Sequence, residues 1–415
     1  MTKRAAQNLA AFPADLKLNN RIQILDFFKN GGAYTANHIA DQIGVSRQTV
    51  MKAIQFFMEK GLLVSSGKAE STNVGGKRPE LFTLSPEKYL MCISLWPDQL
   101  NITLLNFRFD TIEARAIREP LSKNLESVMK LVGETSRELL QNNHITPELL
   151  YCVNISTSGI IDYEANTLKY NSLIPEWGSN LPIPKYLRPY FAETTPILLE
   201  NVAKVVGRSI LYQQKIQGKR MLTLFSSWGG VCACFIENGR ILNGRNSLIG
   251  EIGHMVLVPD DPELCGCGSR GCFERLVSNE RIRQSVAQDL PHHPTSALNK
   301  IALTEITVET LFTLSEQGDT YARRLVSRLA RYFAMALRNI TLIFDPETVV
   351  FQGEYAMADA WFCDEFQRFL REFQYYPPEG SFILHLDRQP IQALDVCGGH
   401  MQMLDYLFSD SRLYE

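Results

Sequence analysis

The chain has 415 residues, more than one hydrophobic core usually organises, so two or three domains are expected. Its 45% hydrophobic and 21% charged residues exclude an intrinsically disordered chain. The most apolar stretch, residues 221–236, is too short to span a bilayer, and residues 1–18 lack the apolar run of a secretory signal. We therefore expect a soluble, cytoplasmic protein with no membrane insertion.

Charge is unevenly distributed along the chain. Residues 1–85 contain eleven Lys and Arg against six Asp and Glu, a net charge of +5, whereas the whole chain has a net charge of −3. A basic N-terminal segment favours an anionic partner for that segment. The nine cysteines are an odd number, which argues against a fully paired disulfide framework.

The N-terminal segment follows the order of a winged helix-turn-helix. A first helical pattern ends at a glycine pair, and Thr35 and Ser46 are the expected N-caps of two further helices separated by a short glycine turn. Residues 62–64 and 81–84 are expected strands flanking a long polar loop, the wing. The pattern predicts a winged helix-turn-helix domain over residues 1–85.

The third predicted helix carries polar and basic residues near its N-terminal end, where this motif meets base edges and phosphates in the major groove. The wing adds two cations suited to phosphates or a narrow minor groove. The predicted DNA contacts are Ser46, Arg47, Gln48, Thr49, Lys52, Lys77 and Arg78. A small helical packing module with a solvated basic face is the alternative.

From about residue 86 the pattern changes to strands. Residues 89–95, 100–107 and 111–118 predict an antiparallel meander followed by a helix, and residues 221–236 begin a similar order. This repetition predicts a duplicated α/β fold with a cleft between two lobes. The expected limits are 86–200 with about 390–415 for a smaller lobe and 201–389 for a larger lobe.

The strongest chemical signal lies between Gly250 and Glu274. One histidine precedes a Cys-Gly-Cys-Gly-Ser-Arg-Gly-Cys segment, whose glycines let the backbone wrap tightly. One imidazole and three thiolates are a ligand set of closed structural zinc sites. The predicted zinc ligands are His254, Cys265, Cys267 and Cys272. Free cysteines and a disulfide are the alternatives, and a reducing cytosol disfavours the disulfide.

The same residues carry a family resemblance. Residues 251–254, the cysteine segment and Glu274 resemble the signature of the ROK family of repressors, open reading frames and kinases. Residues 75–79 resemble the sequence that follows the winged helix in its repressor branch, and residues 345–350 and 398–399 resemble its C-terminal elements. The resemblance implies an α/β architecture: a winged helix-turn-helix joined to a two-lobed, actin-like or ribonuclease-H-like sugar-kinase fold with a structural zinc.

The resemblance also implies that kinase chemistry is lost. Family kinases have an Asp base in a Glu-Asn-Asp stretch, and the matching residues here are Glu200, Asn201 and Val202. If the strand continues, Glu200 would share the face of Val202 but lie a full repeat away, which is too far to replace the base, whereas a backbone turn there would change this geometry. The region that matches the first phosphate loop, residues 94–98, has no glycine. The second loop keeps Gly229 and Gly230 but continues with residues 231–234, none of them glycine, where the family prefers glycines. We therefore predict that the chain is not an enzyme and has no catalytic residue.

The sugar-binding positions of the family are better preserved. The resemblance implies that a sugar or sugar derivative contacts Gly159, Asn201, Glu251, His254 and Glu274. Carboxylates and amides suit this role because each can engage neighbouring hydroxyls. The alternative for Glu251 and Glu274 is that they only hold the zinc loop.

These features predict a DNA-binding transcriptional regulator, a repressor of carbohydrate genes. A sugar effector would reorient the lobes and change the spacing of paired DNA-binding domains on operator DNA. A homodimer or dimer of dimers, joined through the larger lobe, would match a palindromic operator. In some members of the family a partner protein exerts the control, and the sequence does not decide between the two. The alternatives are an active ATP-dependent sugar kinase that carries the N-terminal domain and a scaffold that no longer binds ligand.

Overall fold

The computed structural model describes residues 13–70, 78–213, 216–373 and 382–414. Lys77, one of the two predicted wing cations, lies outside these residues, as do the two glycines before it. Across the described ranges, none of the helices is both long enough and apolar enough to cross a membrane.

The N-terminal unit combines three helices with a small antiparallel sheet of order β1-β3-β2. Its elements are α1 (Pro13–Phe27), β1 (Tyr34–Thr35), α2 (Ala36–Ile43), α3 (Arg47–Glu59), β2 (Leu63–Lys68) and β3 (Glu80–Leu84). Both predicted N-caps are confirmed: Thr35 Oγ1 accepts from the His38 N–H at 3.2 Å, and Ser46 Oγ from the Thr49 N–H at 3.1 Å. Gly44 ends α2 with a φ of 77°, a left-handed conformation that favours glycine.

The next unit is built on a sheet of order β11-β7-β4-β5-β6, in which β7 is parallel to both β4 and β11. Its elements are β4 (Tyr89–Trp96), β5 (Gln99–Asn106), β6 (Thr111–Ile117), α4 (Leu125–Asn142), β7 (Leu150–Thr157), β8 (Ile160–Asp162), β9 (Thr167–Tyr170), β10 (Ser179–Leu181), α5 (Ile183–Leu187) and β11 (Ile197–Asn201). The predicted meander is therefore confirmed. The central strands are buried along nearly their whole length because both faces of the sheet are covered.

The last unit repeats this plan on a sheet of order β14-β13-β12-β15-β16. Its elements are α6 (Val202–Arg208), β12 (Arg220–Ser227), β13 (Gly230–Glu237), β14 (Arg240–Ile241), α7 (Phe273–Val277), α8 (Asn279–Asp289), α9 (Val308–Glu316), α10 (Thr320–Phe344), β15 (Thr348–Gly353), α11 (Ala360–Phe373) and β16 (Ile383–Asp387). The chain then continues into the long helix α12 (Ile391–Phe408). The core of this unit joins the inner face of α10 to α9, α11 and the sheet through Phe333, Phe351 and Phe362.

The C-terminal helix α12 connects the three units. Near its start, Leu394 packs with Trp96 at the junction of the two five-stranded sheets. Near its end, Phe408 belongs to the core of the N-terminal unit, which is continuous with one face of the first α/β sheet. In between, a Cβ at Gly398 would lie 1.7 Å from the Val205 carbonyl oxygen, so glycine permits the close contact of α12 with α6. The N-terminal unit is therefore packed onto the helix that lines the junction.

Candidate ligand cavity and metal centre

A cavity of about 440 Å³ lies between the two α/β units, within the size range of small-molecule sites. All five residues that the sequence predicted as ligand contacts line it: Gly159, Asn201, Glu251, His254 and Glu274. They come from the turn after β7, the end of β11, the segment after β14 and the start of α7. The tertiary structure thus brings these distant positions together at one cavity, while their contact with a ligand stays a prediction.

Asn201 fixes the junction between β11 and α6 at the cavity. Its Oδ1 accepts from the Ala203 N–H at 2.8 Å and caps α6, while its Nδ2 donates to the Gly159 carbonyl at 2.8 Å. Gly159 has a φ of 106°, and a Cβ there would lie 2.2 Å from the Tyr170 carbonyl oxygen. Because both groups of the amide are already hydrogen-bonded, it can offer a ligand only its remaining lone pair and hydrogen.

The strand does not continue through Val202, so the structure takes the alternative of a turn in the backbone at this point. β11 ends at Asn201, and Val202 is the first residue of α6, because the Asn201 side chain caps the helix there. Glu200 is 3% exposed, and its Oε1 accepts from the Tyr163 hydroxyl at 2.5 Å and from the Asn201 N–H at 2.9 Å. Val202 gives the cavity an apolar surface at this position. Glu200, two residues earlier in the chain, is held in place by its hydrogen bonds.

Glu251, His254 and Glu274 converge on one side of the cavity. His254 Nε2 lies 4.0 Å from Glu251 Oε2, and its Nδ1 lies 3.3 Å from Glu274 Oε1. Burial raises the pKa of Glu251 above its usual value, and the neighbouring His254 opposes that shift. An imidazole between two carboxylates supplies several hydrogen-bonding groups for hydroxyls.

The same imidazole belongs to a cluster of four metal-ligating atoms. The donor atoms of His254, Cys265, Cys267 and Cys272 all lie within 4.8 Å of one another. Cys267 Sγ is 3.6 Å from Cys272 Sγ, and Cys265 Sγ is 3.7 Å from His254 Nδ1. A tetrahedral ion bound at about 2.3 Å from each sulfur separates two sulfurs by about 3.8 Å. The cluster therefore has the spacing to hold a metal ion.

Three details of this loop bear on the predicted metal site. Gly271 has a φ of 67°, and a Cβ there would lie 1.7 Å from the Val258 carbonyl oxygen, so the tight wrap requires glycine. All nine cysteines are free, so the disulfide alternative has no support. Glu274 Oε1 lies 3.1 Å from Cys265 Sγ, and Glu274 also lines the cavity. Its two proposed roles, ligand contact and support of the metal loop, are therefore compatible.

An aromatic wall of the cavity escaped the sequence analysis. Trp228 and Phe225 line the cavity beside Val202, and the Trp228 ring centroid lies 6.1 Å from that of Phe225 and 5.2 Å from that of Trp96. Trp228 has a φ of 52° immediately before Gly229, whose φ is 81°. Two indoles thus occupy the meeting point of the β4–β5 and β12–β13 turns. The sequence signal that could have indicated this wall is Trp228, which directly precedes the pair Gly229 and Gly230.

The predicted DNA contacts lie at the start of α3 and in the wing. Ser46, Arg47, Gln48 and Lys52 are exposed, whereas Thr49 is half-buried and its hydroxyl lies 2.9 Å from Ser46 Oγ. The opposite face of α3 is buried in the core of the unit. Arg78 is exposed at the described edge of the wing.

Residues 90–385 match the model of the ROK family. The chain is 22% identical to the xylose repressor of Caldicellulosiruptor bescii over 365 residues, which cover 86% of this chain and 88% of the repressor. It is 25% identical to a glucokinase of Halalkalibacterium halodurans over 230 residues, which cover 55% of this chain and 68% of the glucokinase.

Among solved structures, the fold is similar to that of a ROK family transcriptional regulator described as a homologue of the E. coli MLC protein. The TM-score is 0.79 with 18% identity, and the match covers 96% of this chain and all of the regulator. The similarity to regulators therefore extends over the N-terminal unit, whereas the glucokinase match leaves nearly half of the chain uncovered.

Proposed function

Because this chain belongs to the ROK family, we propose that it is a DNA-binding transcriptional repressor controlled by a sugar or sugar derivative. The observation that supports this proposal is that the match to regulators covers nearly the whole chain, including the N-terminal unit. This unit presents the exposed, polar start of α3. A regulator with this architecture would act on genes of carbohydrate metabolism, as the names of its relatives suggest.

In this proposal residues 1–85 form a winged helix-turn-helix with α3 as the recognition helix. The order of three helices and a β1-β3-β2 sheet supports it, as does the short glycine turn between α2 and α3. Arg47, Gln48 and Lys52 would enter the major groove, and Arg78 with Lys77 would contact the backbone or the minor groove. Ser46 would instead act first as the helix cap, since its hydroxyl is already hydrogen-bonded.

Contacts between the cavity and the N-terminal unit support control by a ligand. Asn201 lines the cavity and caps α6, whose last residue, Arg208, pairs with Asp405 of α12 at 3.0 Å. Asp405 also pairs with Lys29, directly after α1, at 3.1 Å. A ligand that shifts α6 relative to α12 would act on this three-residue salt bridge and reposition the DNA-binding unit. In a homodimer such a shift would change the spacing of two recognition helices.

The shape of the cleft opposes the alternative of an active sugar kinase. Phosphoryl transfer needs backbone donors around the phosphates and a carboxylate that accepts the hydroxyl proton. Val202 stands at the position of the base, and Trp96 and Trp228 pack together where the two phosphate loops would meet. A triphosphate placed there would lose its hydration against indole rings without gaining equivalent donors.

The metal that fits the four-atom cluster is zinc. One imidazole and three thiolates leave no open coordination position, which is typical of a structural site. His254 would bind through Nδ1, the nitrogen that lies 3.7 Å from Cys265 Sγ, and its Nε2 would remain available to the cavity. The ion would therefore fix the orientation of a ring that also faces the ligand.

Selection of genomic DNA fragments by the purified full-length chain tests the proposal. We expect an enriched, palindromic sequence, and Arg47→Ala or Gln48→Ala should weaken its discrimination from altered sites by about 1–3 kcal/mol per lost base contact. Gln23→Ala, the same change at an exposed position of α1, is the matched control and should leave discrimination intact. Recovery of no enriched sequence would contradict DNA binding.

A further inference from the structure

We infer that the effector is a sugar carrying an apolar substituent, an aryl glycoside in its simplest form, rather than a plain hexose. This inference rests on the proposed function and specifies the ligand of the same cavity. It follows from the two chemically different surfaces that the cavity presents.

One surface is polar and suits a sugar ring. The His254 ring lies between two carboxylates, 4.0 Å from Glu251 and 3.3 Å from Glu274, and Asn201 lines the same cavity. Carboxylates, an imidazole and an amide can each accept from or donate to neighbouring hydroxyls. These groups therefore suit the hydroxyls of a single sugar ring.

The other surface is the aromatic wall of Phe225, Trp228 and Val202. Phe225 and Val202 are 4% and 5% exposed, and side chains of Tyr170 and Leu173 extend the apolar lining from the first α/β unit. Hydroxyl groups placed against these side chains would lose water without gaining partners, whereas a ring or alkyl group would displace water that the wall cannot bind. The wall therefore favours an apolar group on the ligand.

The wall is also held in place before any ligand arrives. Trp228 packs on Trp96, which is 2% exposed and lies in the cluster formed by the junction of α6, α12 and β12. Its ring also contacts that of Phe225, with the two centroids 6.1 Å apart. With its ring packed against two aromatic side chains, Trp228 forms a preorganised surface, and preorganisation lowers the entropic penalty of binding.

The same positions explain why a plain hexose is a poor fit. Family resemblance places the lost base at Val202, and an aspartate there would accept a sugar hydroxyl, whereas valine cannot. Losing that acceptor weakens the hold on an unsubstituted ring, while the valine methyls add to the apolar wall. The change therefore shifts selectivity from hydroxyls towards apolar contacts.

Isothermal titration calorimetry of the full chain without DNA tests the inference. The probes are the methyl and phenyl β-glycosides of glucose, xylose and N-acetylglucosamine, with cellobiose as a ligand that places a second sugar ring in the cavity. For at least one sugar, the phenyl glycoside should bind about ten- to a hundred-fold more tightly than the methyl glycoside, the gain expected for burying a phenyl-sized group. Its binding should also have the more negative heat-capacity change.

Two variants locate the effect. Trp228→Ala should bring the phenyl-to-methyl ratio of affinities close to one. Val202→Thr, which replaces one methyl group by a hydroxyl at similar size, should lower the ratio several-fold and decides the matter if Trp228→Ala does not fold. Trp361→Ala removes a tryptophan that is 37% exposed on α11 and should leave the ratio unchanged.

Equal affinities for the methyl and phenyl glycosides, no binding by any probe, or a ratio that survives both wall variants would overturn the inference. Cellobiose binding as tightly as the phenyl glycoside would also overturn it, because the wall would then accept a polar ring. These outcomes leave DNA binding untouched, since DNA selection measures it separately. A phenyl preference in a chain that enriches no DNA sequence would instead contradict the repressor proposal alone.

Discussion

Replacing Asp405 by Asn should loosen the N-terminal unit from the rest of the chain. Asp405 is the shared acceptor of two cations that belong to different units, Arg208 at the end of α6 and Lys29 after α1. The substitution preserves the shape of the side chain and removes its charge. It therefore isolates the electrostatic contribution of this contact from the packing of α12.

The two bridges are not equivalent. Lys29 also pairs with Asp26 at 2.6 Å, so it keeps a carboxylate after the substitution. Arg208 has a side chain that is 15% exposed, and among the described residues Asp405 is its only salt-bridge partner. Leaving a mostly buried cation without its partner costs about 1–3 kcal/mol. Lys29 is buried to a similar degree, with a side chain 18% exposed, but it keeps its pair with Asp26, so its loss should stay within the roughly 0.2–1 kcal/mol of an ordinary surface pair. Most of the loss should therefore come through Arg208.

Hydrogen exchange measured by mass spectrometry reports this loss segment by segment. A loss of about 1–3 kcal/mol corresponds to exchange that is about 5–150-fold faster in α1 and the second half of α12, with α4 unchanged. Lys29→Met should accelerate the same segments by less than about five-fold. Asp410→Asn, in which the lost partner is Arg412 two residues away, is the matched control and should change nothing in α1.

Two results would refute this reasoning. One is a larger effect of Lys29→Met than of Asp405→Asn, since that would place the main interaction on the wrong cation. The other is strict additivity of Asp405→Asn and Arg208→Met in a double-mutant cycle, since contacting partners should show a coupling energy.

Four further predictions concern the metal, the DNA, the cleft and pH. Purified protein should contain one zinc per chain, and Cys267→Ala should lose it together with thermal stability, while Cys363→Ala, outside the cluster, keeps full metal content by elemental analysis. Arg78→Ala should weaken binding to all DNA sequences and lower the slope of log affinity against log salt by about 0.9, and an unchanged slope would remove Arg78 from the interface. Val202→Asp should fail to create a sugar kinase, because the packed indoles remain, so turnover of about 1 per second or more with ATP and hexoses, in this variant or in the wild type, would contradict the proposal. Burial raises the pKa of Asp395 from 3.8 to about 6, so the folded chain holds this proton more tightly than the unfolded chain. The stability that this group contributes therefore falls as pH rises from about 4 to about 6. Asp395→Asn should flatten this part of the profile of stability against pH, measured by chemical denaturation.

The amino-acid sequence by itself determined the features that depend on near neighbours. The caps at Thr35 and Ser46 form because each hydroxyl reaches an N–H three residues ahead, and such bonds need no tertiary context. The cysteine cluster could be predicted from the sequence for the same reason, because its three cysteines lie within eight residues and the glycines between them allow a tight turn of the backbone. The alternation of strands and helices likewise follows from local hydrophobic periodicity.

The course of the chain at Val202 marks the limit of that reasoning. The sequence leaves open whether the strand continues here or the backbone turns. The structure ends β11 at Asn201, whose Oδ1 caps the first turn of α6 and whose Nδ2 donates to the Gly159 carbonyl, 42 positions away. The cap is a local bond, but the contact with Gly159 exists only in the tertiary structure. Periodicity within a short window does not contain that information.

Only the tertiary structure decided which distant residues meet. Trp96 ends β4 in one sheet and Trp228 follows β12 in the other, and the two rings pack together because the two α/β units meet there. Trp96 thereby supports Trp228, which lines the cavity. Asp405 meets Arg208 and Lys29 across 197 and 376 residues of chain. No local propensity favours such pairs, since their free energy comes from burying one unit against another, and that burial exists only after both units have folded.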